Sequence, residues 1–170
     1  MTPQTIVELI ADGLVLPIII LAGYALLLKV PKGHRFEAYA RILMAGLTAY
    51  VAAKLLASIY QPSGERPFEI MGVEPGASYL NNPGFPSDHA LFTAFLTLAV
   101  WFETRKKGIA IALGLMTLLV CIGRVLALVH TPLDVIGGIL VACVGVVWYL
   151  QADNKNVMNV SRKKHKKLVQ

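Results

Sequence analysis

"IAIALGLMTLLVCIGRVLALVHTPLDVIGG", residues 109–138, decides the fold of this chain. From Ile109 to Gly123 it carries no charged side chain. A helix crossing a bilayer needs about 17 to 25 largely apolar residues, and a run of this kind supplies most of one. Arg124, His130 and Asp134 then follow within eleven residues, next to further apolar sequence. Charges in hydrocarbon are costly, so three polar groups gathered at one end of a span point to a site.

Composition extends the reading to the whole chain. With 56% hydrophobic residues, 15% charged residues and a mean hydropathy of +0.62 in 170 residues, the protein is too apolar for an ordinary water-soluble domain. The expectation is an all-α polytopic membrane helix bundle with about five transmembrane helices. The spans are placed at Ile6–Leu28, Ala38–Tyr60, Ser87–Phe102, Ile109–Val129 and Val135–Ala152. The third is cleanly uncharged only from Ala90 to Phe102, and its alternative is a half-buried helix inside the bundle. Residues 1–152 then form one membrane-embedded domain, and 153–170 a basic tail. The first span does not resemble a cleavable signal peptide, since its start lacks basic residues and carries Glu8 and Asp12.

Thirteen of the sixteen Lys and Arg residues fall in three segments: Lys29 to Arg41, Arg105 to Lys107 and the C-terminal tail. Five spans bring these segments to one side, which the positive-inside rule makes the cytoplasm. The N-terminus, the loop from Gln61 to Pro86 and the turn from His130 to Asp134 are then external. The tail motif "SRKKHKK" serves as a topology anchor, with docking on anionic headgroups as the alternative. The three remaining basic residues, Lys54, Arg66 and Arg124, lie toward the external side with His89 and His130. Against the overall bias, that placement calls for an anionic partner; seven of the ten acidic residues are external as well and can pair with some of this charge.

A second loaded stretch is "NNPGFPSDHALF", residues 81–92. Its Asn, Pro and Gly residues read as a loop, after which Ser87 is placed to cap a helix whose first turn holds Asp88 and His89. Free backbone N–H groups at such a start make an anion site, although "PSDH" also reads simply as a cap opening a span. Arg66-Pro67 stands upstream in the same loop.

Together these stretches resemble the type 2 phosphatidic acid phosphatase (PAP2) family, membrane lipid phosphatases that share a core with vanadium haloperoxidases. The family pattern is Lys, six residues, Arg-Pro; then Pro-Ser-Gly-His; then Ser-Arg, five residues, His, three residues, Asp. This chain has Arg66-Pro67, then Pro86-Ser87-Asp88-His89, then Gly123-Arg124, His130 and Asp134 with both gaps intact. The resemblance covers about Lys54 to Gly138. Three positions depart from the pattern. Ile59 stands where the first Lys would fall, with Lys54 nearly a turn and a half earlier, within reach of a long side chain. Gly123 replaces Ser, which removes a hydroxyl donor. Asp88 replaces Gly, and "PSDH" is similar to the undecaprenyl pyrophosphate phosphatase branch, which acts on the external side of bacterial membranes.

The chemistry expected of these residues follows. A phosphoryl group in transfer is stabilised by fixed donors, so Arg66, Arg124, Ser87 and Lys54 are assigned to phosphate. His130 is assigned as nucleophile, forming a phosphohistidine. Asp134, four residues on, is its orienter if the turn between them is helical. His89 is general acid to the leaving oxygen and then base to water. Asp88 tunes His89 or acts on the leaving phosphate. This division matches what the resemblance implies. No cofactor or metal is expected, because the arginines oppose a cation and no cysteine ligand stands near. Cys121 and Cys143 are read as packing residues, Gly114, Gly137 and Gly138 as close helix contacts, and Glu8 with Asp12 as a solvated helix start rather than groups that admit substrate. The expected partners are a lipid phosphate and the membrane, with no nucleic acid; no oligomeric state is read. The function expected is hydrolysis of an isoprenoid lipid diphosphate on the extracytoplasmic face of a bacterial cytoplasmic membrane. The alternatives are a phosphatidylglycerophosphate or phosphatidic acid phosphatase and, from another class, a non-catalytic lipid-binding transporter or scaffold.

Overall fold

The computed structural model describes residues 2–62 and 64–151, so the basic tail over 153–170 lies outside the described residues. Every regular element among them is helical. The order is α1 (Pro3–Glu8), a π-helical turn (Leu9–Gly13), α2 (Val15–Lys29), a 3-10 turn (Lys32–His34), α3 (Arg35–Ile59), α4 (Pro67–Met71), α5 (Asp88–Glu103), α6 (Lys107–Leu126) and α7 (Pro132–Val144). Local chemistry sets several of the starts. Thr2 caps α1 and Thr131 caps α7, each followed by a proline whose fixed φ suits the first helical position.

Four stretches are long and apolar enough to cross a membrane: Pro3–Lys29, Lys32–Ile59, Lys107–Leu126 and Pro132–Gln151. The expected third span corresponds to α5, which has 16 residues. At 1.5 Å per residue it is about 24 Å long, short of a hydrocarbon core of about 30 Å. It packs against α2, α3, α6 and α7, which makes it the central helix. Lys54 meets Asp88 at its start, and Arg41 meets Glu103 at its end, so α5 runs antiparallel to α3 along most of that helix.

The packing places small residues inside and large ones outside. On α3 the buried positions are Ala38, Ala45, Ala49 and Ala53, while Leu43, Leu47, Leu55 and Ile59 are exposed. An outer surface of Leu and Ile is unfavourable in water and suited to lipid, where helices associate through close contact of small residues. α7 comes close to the start of α5: a Cβ on Gly138 would stand 2.5 Å from the carbonyl oxygen of Ser87, the cap of α5. Gly137 likewise faces the Phe85 ring. Gly114 differs from the expectation, since its nearest neighbour would be Thr97 Cγ2 at an ordinary 3.7 Å. Cys121 is buried, whereas Cys143 is exposed on the outer face and packs no core; the reading of Cys143 as a packing residue is corrected accordingly.

Candidate active site

The site is built at the end of the bundle where α6 stops and α7 starts. The segment between α3 and α5 holds the two residues that follow α6: Phe68 N–H donates to the Leu128 oxygen and Gly76 N–H to the Ala127 oxygen, each at 3.0 Å. Leu128 takes a left-handed conformation with φ of 60°, which costs a residue with a Cβ roughly 1–2 kcal/mol. The chain thereby turns sharply and delivers His130 just before the cap of α7.

His130 and Asp134 meet, but not as neighbours on a helix face. His130 precedes the helix, and Asp134 is its third residue. Asp134 N–H donates to Thr131 Oγ1 at 3.2 Å, and Thr131 N–H donates to Asp134 Oδ2 at 2.7 Å. This capping box fixes the carboxylate, and the same Oδ2 lies 3.5 Å from His130 Nδ1. That separation is long for a hydrogen bond, and Nδ1 is buried with no nearer partner. Burial pushes the His130 pKa below 6.5, outweighing the opposing effect of Asp134, so the ring is neutral near pH 7.

The start of α5 joins the same cluster. Ser87 N–H donates to the Asp134 carbonyl oxygen at 2.9 Å, and Ser87 Oγ accepts from Ala90 N–H at 3.5 Å. The hydroxyl therefore caps the helix as expected. Ser87 is fully buried, though, and the structure does not bring its side chain to the cavity surface. What faces the cavity is Asp88 and His89.

Lys54, Arg66, Asp88, His89, Arg124 and His130 line one cavity of about 570 Å³. Asp134 stands behind His130 rather than on this surface. Lys54 Nζ lies 3.3 Å from Asp88 Oδ1 and 5.3 Å from the centre of the Tyr50 ring. Ile59, at the position of the family's first lysine, is exposed and does not line the cavity. Arg66 carries structure as well as charge: Nη1 donates to the Val129 oxygen, and Nη2 to the Leu80 oxygen, the Asn82 oxygen and Asn82 Oδ1. Burial lowers its pKa, yet a guanidinium stays cationic at any ordinary pH. Arg124 is all but enclosed, and its Nε has no protein partner.

Asp12 corrects the sequence reading. Glu8 is exposed, as a solvated helix start should be, but Asp12 Oδ1 accepts from Arg124 Nη1 at 2.6 Å and lies 3.7 Å from His89 Nε2. The available signal was an acidic residue inside an otherwise apolar span. Gly84 was missed too: a Cβ there would stand 3.2 Å from Asp134 Oδ2 and 3.5 Å from His130 Nδ1, so a bare backbone covers the pair. Among the described residues, no group of three or more His, Cys, Asp or Glu is placed to share a metal ion.

The arrangement offers anion donors, a buried neutral imidazole backed by a carboxylate, and a second imidazole lining the same cavity. The family model described as "PAP2 superfamily" matches residues 38–158, more than half of the chain. No curated protein and no solved structure matches it significantly.

Proposed function

The chain belongs to the PAP2 superfamily, and from that premise we propose that it is a membrane phosphatase removing the terminal phosphate of an isoprenoid lipid diphosphate. The observation that carries this reading is the convergence of His130, His89 and Arg124 on one cavity, with Asp134 fixed behind His130. An anion-binding site alone has no use for a neutral histidine with an orienting carboxylate; a nucleophile does.

In the proposed reaction the terminal phosphoryl group lies between the two imidazoles. Arg124, Arg66 and Lys54 neutralise its oxygens. His130 attacks phosphorus through Nε2, and Nδ1–H closes onto Asp134, which supports the positive charge formed on the ring. As the N–P bond forms, the bond from phosphorus to the bridging oxygen breaks, and His89 passes its proton to that oxygen. Water then attacks the phosphohistidine and yields its proton to His89. The N–P bond breaks, phosphate leaves and His130 is again neutral. Every proton lost in the first half returns in the second.

In the membrane, α5 is the third of five crossings, the cavity faces the extracytoplasmic side of a bacterial membrane and the tail lies in the cytoplasm. The charge bias of the loops supports this orientation. The diphosphate preference rests on Asp88, a second acidic group beside His89 with Lys54 as counter-ion.

The test is phosphate release by purified protein. Farnesyl or undecaprenyl diphosphate should turn over faster than phosphatidylglycerophosphate or phosphatidic acid. His130→Ala and His89→Ala should each abolish release while the protein stays folded in detergent. Faster turnover of the phospholipid monoesters refutes the substrate, and an active His130→Ala refutes the covalent mechanism. For orientation, a tag near Ser78 should be accessible from outside intact cells; protection there would reverse the topology.

A further inference from the structure

The first apolar stretch, Pro3–Lys29, places a carboxylate behind the cavity from outside the region the family model covers. Asp12 precedes residue 38, where that match begins, and it is absent from the three motifs. It sits in the π-helical turn Leu9–Gly13, a rare local geometry that recurs at functional sites. Three separate partners hold its carboxylate. Oδ1 accepts from Arg124 Nη1 at 2.6 Å and lies 3.7 Å from His89 Nε2, while Oδ2 accepts from Ser78 N–H at 2.8 Å. Asp12 is not on the cavity surface, so it stands behind His89 and Arg124 much as Asp134 stands behind His130.

A close contact keeps it there. A Cβ on Gly123 would stand 2.8 Å from the Ala11 nitrogen and 2.9 Å from its Cα. Ala11 is fully buried, and both of those atoms are backbone, so a side chain at position 123 has nowhere to go. The glycine before Arg124 is therefore more than a missing hydroxyl. It lets the π turn dock on α6 beside the guanidinium that Asp12 pairs with.

From this geometry we infer that Asp12 is the positioning residue of His89, the counterpart of Asp134 for His130. Two supports of the same kind then serve the cavity, each a histidine with a carboxylate behind it. The inference rests on His89 being the proton donor of the proposed reaction. Asp12 draws the imidazolium's Nε2–H toward itself and away from the cavity, which leaves Nδ1–H to serve the leaving oxygen. It also places a negative charge beside His89 against burial, the larger effect, and the charge of Arg124, both of which disfavour the protonated ring.

The experiment is the titration of His89, read by side-chain nitrogen NMR of the full-length protein in detergent and assigned with His89→Ala. The charged and titratable groups facing this ring are Asp12 from the π turn, Arg124 from α6, His130 from the turn before α7 and Asp88 from α5 itself, with Lys54 of α3 paired to Asp88. Asp12→Asn removes one of them without changing shape. Its expected effect is a fall of about one unit in the His89 midpoint, a tenfold loss of the protonated form at a given pH. The basic limb of the phosphate-release profile should move down by the same amount, with kcat falling tenfold or more and KM within threefold. Gly123→Ala, which removes no ionisable group, should lower the His89 midpoint in the same direction by displacing the π turn and Asp12 with it, and Asp12→Glu should restore part of it. An unchanged midpoint in Asp12→Asn overturns the proposal. So does a large fall in KM at constant kcat, which marks Asp12 as a carboxylate competing for the phosphate site. If the wild-type protein releases no phosphate from any lipid, the hydrolase reading fails alone, and the NMR midpoints still decide whether Asp12 holds His89.

Discussion

Lys54 and Asp88 meet at 3.3 Å across the boundary between α3 and α5, at the rim of the cavity. Both side chains are nearly half exposed, so the pair adds little to stability; exposed ion pairs contribute from nothing to about 1 kcal/mol. Its consequence is for charge. Lys54 is tied to a carboxylate until a ligand with more negative charge draws it away, and a diphosphate does so better than a monoester. Asp88→Gly should free Lys54 and narrow the preference for farnesyl diphosphate over phosphatidic acid, measured as the ratio of kcat/KM values. A ratio unchanged within twofold would remove Asp88 from substrate choice.

The opposite end of the bundle makes a contrasting prediction. Arg41 Nε and Nη2 donate to the two oxygens of Glu103, both at 2.7 Å, and Glu103 is almost fully buried. Removing one partner of a buried pair leaves an uncompensated charge, at a cost of about 3 kcal/mol. Arg41→Ala should therefore lower the Tm in detergent by several degrees, and below its own transition it should keep wild-type kcat, because nothing at this end lines the cavity. The measurement pair is a thermal melt and phosphate release at low temperature.

The pH dependence has a definite sign. Burial holds the His130 pKa below 6.5, so the ring stays neutral and nucleophilic as pH falls through the usual histidine range. The acid limb of kcat/KM should have its midpoint below 6.5. Asp134 opposes the effect of burial, so Asp134→Asn should move that limb lower still while reducing kcat. An acid limb at or above 6.5 would show that the nucleophile is not the buried imidazole.

Much of this was legible in the sequence because it depends on local pattern. Apolar runs marked the helices to within a few residues, and the Ser87 cap followed from a Pro-Ser pair before an apolar stretch. The spacing of Arg124, His130 and Asp134 located the cluster, although its working part is a capping box rather than a helix face. What stayed hidden depends on contacts between distant segments. Asp12 reaches Arg124 across more than a hundred residues, and only the docking of the π turn on Gly123 brings them together. The double duty of Arg66, holding the carbonyls of Leu80, Asn82 and Val129, depends on a loop path that no periodicity encodes. The length of α5 was likewise ambiguous, because a helix enclosed by four others does not need to match the bilayer by itself.

Two glycines provide the last test, since they look alike in the sequence and differ in the structure. Gly138 lets α7 approach α5 until a Cβ would meet the Ser87 oxygen at 2.5 Å and the Leu91 nitrogen at 3.0 Å, both of them backbone. Gly114 faces only Thr97 Cγ2 at 3.7 Å. A methyl group at 138 cannot be absorbed by a side-chain rotation, so Gly138→Ala should push the helices apart at a cost of about 1–3 kcal/mol. The shift also loosens the 2.9 Å bond from Ser87 N–H to the Asp134 oxygen, and with it the support of His130. Activity should fall along with Tm. At position 114 the same change fits the space and replaces the poorer helix former, so Gly114→Ala should leave activity intact and raise stability by up to about 1 kcal/mol. Thermal melts and phosphate release on the two variants side by side check the packing directly. Equal tolerance at both positions would mean that α5 and α7 do not meet at Gly138.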